Sequence, residues 1–293
     1  MSIPGLEVIG DRINPGFKST KAFFDNDDME GIQGIAIKQA EAGANYLDVN
    51  CGRRAKDDPD FLVAVIRAIQ DAVDIPLCFD FPNFDVQEIC LKAYDSDKAG
   101  GAKPMVNSIA ETRWDMLELA KIRPFKVILM ASERQEDGVG KPNKYSEEVF
   151  AVAERMTAKV LDGTYDFTPD DIYIDTSIST LAADTEGLTK MSLDGMKLIK
   201  ADSRFSGVHL TGAITNIGQQ MPAKTKDGGD LRLQLENAFL TIAVGRGFDT
   251  VMGTPWRDYA LLGGDNKVLL GLKQIIELKG MEAIRGVRGL YSN

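Results

Sequence analysis

Short stretches of the chain carry carboxylates and amides in a recurring place, at or just behind an apolar run. GDRIN holds Asp11, Arg12 and Asn14. YLDVN holds Asp48 and Asn50, LCFD ends on Asp80, KPMVN on Asn107 and DIYID on Asp175, and ITNIGQ holds Thr215, Asn216 and Gln219. Asp and Asn in such places often only cap helices and form turns. Capping, however, requires no Asp inside YLDVN or directly behind PLCF and DIYI. A carboxylate accepts two parallel N–H bonds from an amidine-like edge, and an Asn amide offers one donor and one acceptor side by side. The set therefore suits a flat heterocycle with alternating donors and acceptors, such as a pterin or a guanine. It suits hydrolysis poorly: His209 is the only histidine and no GxSxG elbow occurs. Cys51, Cys78 and His209 lie on separate segments, so no zinc cluster is expected. A hard cation on Asp11, Asp48 and Asp80 is allowed but not demanded.

These residues must be positioned by an alternation of short apolar runs and helix-period segments. Leu6–Gly10, Tyr46–Asn50, Pro76–Asp80, Lys103–Asn107, Phe125–Met130, Asp171–Asp175, Gly207–Thr211 and Phe248–Met252 read as strands. A helix is predicted over Gly31–Ala42, with Ile32, Ile35, Ala36 and Gln39 on one face and Gly43 as its stop. Asp58-Pro59 opens another, whose stripe is Leu62, Val65, Ile66, Ile69 and Val73. Further helices are predicted over Asp85–Tyr94, Thr112–Ala120, from Ser146 onward, Ser192–Ile199, Leu231–Val244 and Val268–Leu278. Two long connections, Ser132–Tyr145 and Gly212–Asp230, read as loops of the kind that carries function. About eight βα units of roughly 37 residues each fit an α/β (β/α)8 TIM barrel, in one domain over residues 1–293. A doubly wound sheet shares the alternation but usually has fewer strands at this length. Neither GxGxxG after the first strand nor a P-loop occurs. In a barrel all the polar strand ends meet at one mouth.

The charge balance, 34 Lys+Arg against 44 Asp+Glu for a net −10, leaves no basic stripe, and no nucleic-acid partner is expected. Apolar residues at 44% and charged residues at 27% exclude a disordered, collagen-like or coiled-coil chain. Three cysteines without a CxxC argue against a disulfide framework and for a reducing cytoplasm. The start MSIPGLEVIGDRIN lacks a basic segment followed by an apolar one. The longest apolar runs, such as Ala238–Val244, fall far short of the ~18 residues that a membrane span needs. A soluble cytoplasmic protein with no membrane partner is expected.

In sequence order, IGDRINP, AGANYLDVN, CFDFPN, PMVNS, YIDTSI and TGAITNIGQ resemble the motifs of methyltetrahydrofolate:corrinoid protein methyltransferases, from Leu6 to Met252. The pterin module of cobalamin-dependent methionine synthase and dihydropteroate synthase are more distant relatives. The resemblance implies a (β/α)8 barrel with tetrahydrofolate or 5-methyltetrahydrofolate as substrate in its mouth. It implies that Asp80, Asn107 and Asp175 anchor the pterin. Asn216 would be the catalytic group, hydrogen bonding at N5, with Gln219 beside it. Asp11, Arg12, Asn14, Asp48, Asn50, Thr215 and Lys224, or Lys226, are the further mouth residues. The family's GERIN is GDRIN here, one methylene shorter at Asp11. The resemblance also implies a corrinoid carried by a separate protein, and a homodimer. Corrinoid-binding modules use DxHxxG; His209–Gly212 supplies HxxG, but position 207 is Gly, so His209 reads as a buried strand residue. Two alternatives stand beside this reading. One is a dihydropteroate-synthase-like condensing enzyme, which the lack of a Gly/Ser-rich loop after the first strand disfavours. The other is a non-catalytic folate-binding subunit.

Overall fold

In the computed structural model, which describes residues 3–291, eight parallel strands close on themselves. They are β1 (Glu7–Ile13), β2 (Tyr46–Val49), β3 (Leu77–Asp80), β4 (Met105–Ile109), β5 (Lys126–Met130), β8 (Ile172–Asp175), β9 (His209–Ala213) and β10 (Thr250–Gly253), with β10 pairing back onto β1. Between β5 and β8, β6 (Glu133–Glu136) and β7 (Val139–Pro142) form a separate antiparallel hairpin. Helices follow the strands: α1 (Lys21–Asp25) and α2 (Met29–Glu41), α3 (Arg54–Asp57) and α4 (Pro59–Ala72), α5 (Phe84–Ala93), α6 (Ser146–Val160), α7 (Leu188–Ala201), α8 (Leu231–Ala243), α9 (Lys267–Ile275) and α10 (Gly280–Arg288). This is the (β/α)8 barrel expected from the alternation.

The apolar patterns divide into two cores. The helix stripes bury against the outside of the strands; in α4, Phe61, Leu62, Val65, Ile66 and Ile69 do so behind an Asp58 carboxylate that accepts the Phe61 amide N–H at 3.2 Å. The second core fills the barrel itself with Ile9, Tyr46, Cys78, Met105, Ile128 and Tyr173. Successive strand side chains point to opposite faces, so the residue two places on also faces inward. That step leads from Ile9 to Asp11, Tyr46 to Asp48, Cys78 to Asp80, Met105 to Asn107 and Tyr173 to Asp175. One dry layer thus supports a polar one at the C-terminal end.

Several local expectations change. The segment expected as a helix over Thr112–Ala120 is a 3₁₀ helix over Trp114–Lys121. A 3₁₀ coil rises about 2.0 Å per residue against about 1.5 Å for an α-helix, so these eight residues reach further than the same number in an α-helix. The helix expected at Ser192 begins at Leu188, because Asp184 accepts the amide N–H groups of Gly187, Leu188 and Thr189, each at 2.8 Å. The Ser132–Tyr145 connection is not a plain loop but the β6–β7 hairpin. Its turn is Asp137-Gly138 with φ of 54° and 80°, the left-handed pair that a two-residue hairpin turn requires. The last expected helix ends early, and α10 follows it.

The seventh strand begins at His209 rather than Gly207, which moves His209 from the strand interior to the N-terminal end of the barrel, with 23% of its side chain exposed. There its ring stacks on Tyr173 with centroids 4.6 Å apart. Nδ1 lies 2.9 Å from Asp249 and Nε2 lies 3.3 Å from Asp170, which also holds Lys126 at 2.9 Å. The Asp249 hydrogen bond first, then Asp170, hold the imidazole's proton affinity above its ordinary value against the effect of burial. A raised folded-state value stabilises fully below the unfolded value of about 6.5 and is lost as pH rises through the folded one. The stability gap between wild type and His209→Gln should therefore be larger in urea unfolding at about pH 5.5 than at about pH 8.5. An equal gap at both would mean that the ring is not charged.

Candidate functional site

A cavity of about 380 Å³ opens at the C-terminal ends of the strands, and Asp11, Asn14, Asp48, Asp80, Thr215, Asn216 and Gln219 all line it. Phe17, Ala213 and Met252 supply its apolar wall. Asn107 and Asp175 are not in its lining. Asn107 stands in register with Asp80 across the β3–β4 ladder and hydrogen-bonds Asp48. Asp175 ends β8 beside β9, where a Cβ added to Gly212 would lie 3.4 Å from its Oδ1 and 3.0 Å from Ile178. Glycine at 212 is what lets the β9 backbone come this close.

Asn50 also stays outside the lining, yet its Nδ2 donates to Asp80 Oδ2 at 2.9 Å and fixes that carboxylate. Arg12 does not reach the cavity floor. Its guanidinium donates to Ser19 at 2.8 Å and lies over the Phe17 ring, 3.8 Å from the centroid. Lys224 is exposed, its backbone in an isolated antiparallel β-bridge with that of Asp230, and Lys226 borders a different, smaller cavity with Lys267 and Leu290. Neither lysine lines the mouth.

Two strand irregularities sit at this end. β1 carries an extra residue between Gly10 and Ile13 against β2, and β4 carries one between Asn107 and Ile109 against β5. Such bulges re-aim side chains where a ladder ends. Buried glutamines from the helices hold them. Gln39 of α2 accepts the Arg12 N–H at 2.9 Å. Gln87 of α5 donates to the carbonyls of Phe79 at 2.7 Å, Phe81 at 2.9 Å and Asn107 at 3.2 Å. Sequence reading placed Gln39 on the inward helix face and passed over Gln87 and Phe17. A glutamine at a stripe position is the signal that could have found Gln87.

The site's electrostatics follow from burial. Desolvation pushes Asp11 up to about 6, although Arg12 and Thr254 oppose it. It pushes Asp175 up to about 6 and raises Asp80, the latter partly countered by Asn50. Asp48 lies well above the carboxylate range, through burial first and then the nearby Asp80 and Asp11 charges. Asn216 sits in a 3₁₀ turn over Ile214–Gly218, and its Oδ1 accepts from Gln219 Nε2 at 2.7 Å. Its carbonyl is thus engaged, and its Nδ2 donors are left for an occupant of the cavity. Among the described residues no group of three or more His, Cys, Asp or Glu is arranged to hold a metal ion, and no helix is long and apolar enough to cross a membrane.

A family model described as pterin binding enzyme matches residues 13–252. The chain is similar to the methylcorrinoid:tetrahydrofolate methyltransferase of Eubacterium limosum, 26% identical over 276 residues, 88% of this chain and 92% of that protein. Its fold is similar to that of dihydropteroate synthase from Xanthomonas albilineans with 4-aminobenzoic acid, at a TM-score of 0.60 and 16% identity over 94% of each chain. The Stenotrophomonas maltophilia dihydropteroate synthase, with imidazole bound in its active site, scores 0.57 at 20% identity over 93% of each chain.

The glutamine brace generates a test of how the mouth is held. Gln87→Leu keeps side-chain bulk but takes the side-chain donor from the carbonyls of Phe79 and Phe81, while the Asn107 carbonyl keeps the Phe81 N–H at 3.0 Å; the loss should cost about 1–3 kcal/mol. Urea unfolding monitored by circular dichroism measures it; a change within the error of the method would mean that other donors replace the brace.

Proposed function

The chain belongs to the pterin-binding enzyme family, and from that premise we propose that it transfers a methyl group between N5 of tetrahydrofolate and the cobalt of a corrinoid carried by a separate protein. One observation carries the reading. Asp80 and Asn216 line one cavity of about 380 Å³, with Asn107 beside Asp80 on the neighbouring strand end and Asp175 at the end of β8, both outside the lining. The chain's similarity to a methylcorrinoid:tetrahydrofolate methyltransferase over most of both lengths supports the same reaction.

The residues would act as follows. Asp80 and Asp175 accept N–H bonds from the amidine-like edge of the pterin, and Asn107 supplies an adjacent donor and acceptor. Phe17 offers the flat ring an apolar wall. Methyl on N5 departs poorly, because the amine anion left behind is strongly basic. A donor aimed at N5 stabilises the charge that develops there. With its Oδ1 held by Gln219, Asn216 offers such a donor and is neutral, so it acts by hydrogen bonding rather than as an acid. Cobalt supplies the nucleophile in one direction and the methyl in the other. The site's part is to orient two bulky reactants and to stabilise charge at N5. The first experiment is an absorbance assay combining the protein, tetrahydrofolate and methylcobalamin; no demethylation of the corrinoid would count against the reading.

Two measurements then address the named residues. Asp80→Asn and Asp175→Asn should each weaken tetrahydrofolate binding by calorimetry, by about 1.5–3 kcal/mol, or roughly 10–150-fold. Unchanged affinity in both, with the fold intact, would remove the anchoring assignment. Asn216→Ala should lower the single-turnover rate with methylcobalamin on the order of 10²-fold, with a much smaller effect on tetrahydrofolate binding. A rate loss under about threefold would leave Asn216 as a loop-shaping residue only.

A further inference from the structure

The floor of the mouth holds three carboxylates on three adjacent strands. Asp11 comes from β1, Asp48 from β2 and Asp80 from β3, with Gly10 opposite Leu47 and Asp48 opposite Cys78 in the ladders. Asp48 is the middle member and is only 2% exposed. The groups that act on it are Asp11 from β1, Cys78 and Asp80 from β3, and Asn107 from β4; none is a cation. Arg12 and Arg257 act on Asp11 but not on Asp48; Arg12 donates to Ser19 and Arg257 pairs with Glu236 at 2.7 Å.

An ionised carboxylate only accepts hydrogen bonds, so three of them in a dry floor repel and find no donors in one another. The two outer members have a neutral donor each: Thr254 gives its hydroxyl proton to Asp11 at 3.2 Å, and Asn50 gives an amide N–H to Asp80 at 2.9 Å. In the middle, Cys78 and Asn107 hydrogen-bond the Asp48 carboxyl, yet its Oδ1 is buried with no partner at all. A single proton on the middle member resolves this. It removes the central charge, so that the two flanking carboxylates no longer face a third, and a neutral carboxyl is cheaper to bury than an ion. Burial and the flanking charges raise the proton affinity of Asp48 in the same sense.

We propose that Asp48 is a positioning residue which carries a proton at neutral pH and so keeps Asp80 an ionised acceptor aimed at the N–H edge of the pterin. The part that concerns the pterin rests on the function proposed above; the part that concerns the proton does not. Asp48→Asn keeps a neutral donor of the same shape, whereas Asp48→Ala removes the donor and leaves a hole.

Infrared difference spectroscopy of the unliganded protein at neutral pH, wild type against Asp48→Asn, should show the carbonyl stretch of one protonated carboxylic acid that the variant lacks. In calorimetry, Asp48→Ala should weaken tetrahydrofolate about tenfold or more, and Asp48→Asn should restore affinity to within about threefold of wild type. The acid side of the binding-versus-pH curve should stay in place in Asp48→Asn, because no charge beside Asp80 has been removed. Absence of the carbonyl band overturns the proposal, as does an Asp48→Asn loss as large as that of Asp48→Ala. If wild type binds no tetrahydrofolate, the functional reading and the positioning role both fall, and the band alone decides whether Asp48 carries the proton.

Discussion

Closure of the parallel sheet is the constraint on which the rest of the molecule depends. In a closed barrel an inward-facing position has nowhere else to point, and the pleat returns every second residue to the same interior. The central layer of Ile9, Tyr46, Cys78, Met105, Ile128 and Tyr173 is therefore followed, one pleat later, by Asp11, Asp48, Asp80, Asn107 and Asp175. The dry layer seals the floor and lowers the local dielectric. That same dryness raises the proton affinity of the carboxylates above it. Packing and electrostatics at the mouth are one fact seen from two sides.

The two ends of the barrel treat polar groups differently. At the N-terminal end Lys126, Asp170, His209 and Asp249 alternate in sign and are joined by hydrogen bonds, as suits an end that only has to hold together. At the C-terminal end like charges gather with few cations among them, a costly arrangement that a ligand edge rich in N–H donors would relieve. The mouth is accordingly braced from behind, by Gln39 and Gln87 reaching from α2 and α5 to the backbone of the strand ends. The β6–β7 hairpin is held in a similar manner. Glu111 accepts the Gln135 N–H at 2.9 Å and pairs with Arg155 at 2.7 Å.

Much of this was legible in the sequence. Period-two and period-3.6 apolar patterns are local, so eight strand–helix units, their barrel closure and the polar residues behind each apolar run could be read from a few neighbours at a time. Asp11, Asn14, Asp48, Asp80, Thr215, Asn216 and Gln219 do share one cavity. The hairpin was also written locally, in Asp137-Gly138, though a long connection obscured it. The reach of long side chains was not legible: Arg12 turns to Ser19 and Phe17, and Lys224 lies outside the mouth, because nothing along the chain fixes where a flexible cation ends.

Only the tertiary structure decided the remaining properties of the site. Which glutamine braces which carbonyl, and which oxygen among the three carboxylates lacks a partner, are set by residues far apart in the chain. The shift from Gly207 to His209 at the start of β9 had the same origin, since a strand begins where its neighbours can pair with it. The sequence by itself determined the types of groups and the face of each strand they occupy, because side-chain direction follows from the backbone's own repeat. Hydrogen-bond partners and proton affinities depend instead on which strands become neighbours and how much water they exclude, and neither quantity exists until the barrel is closed.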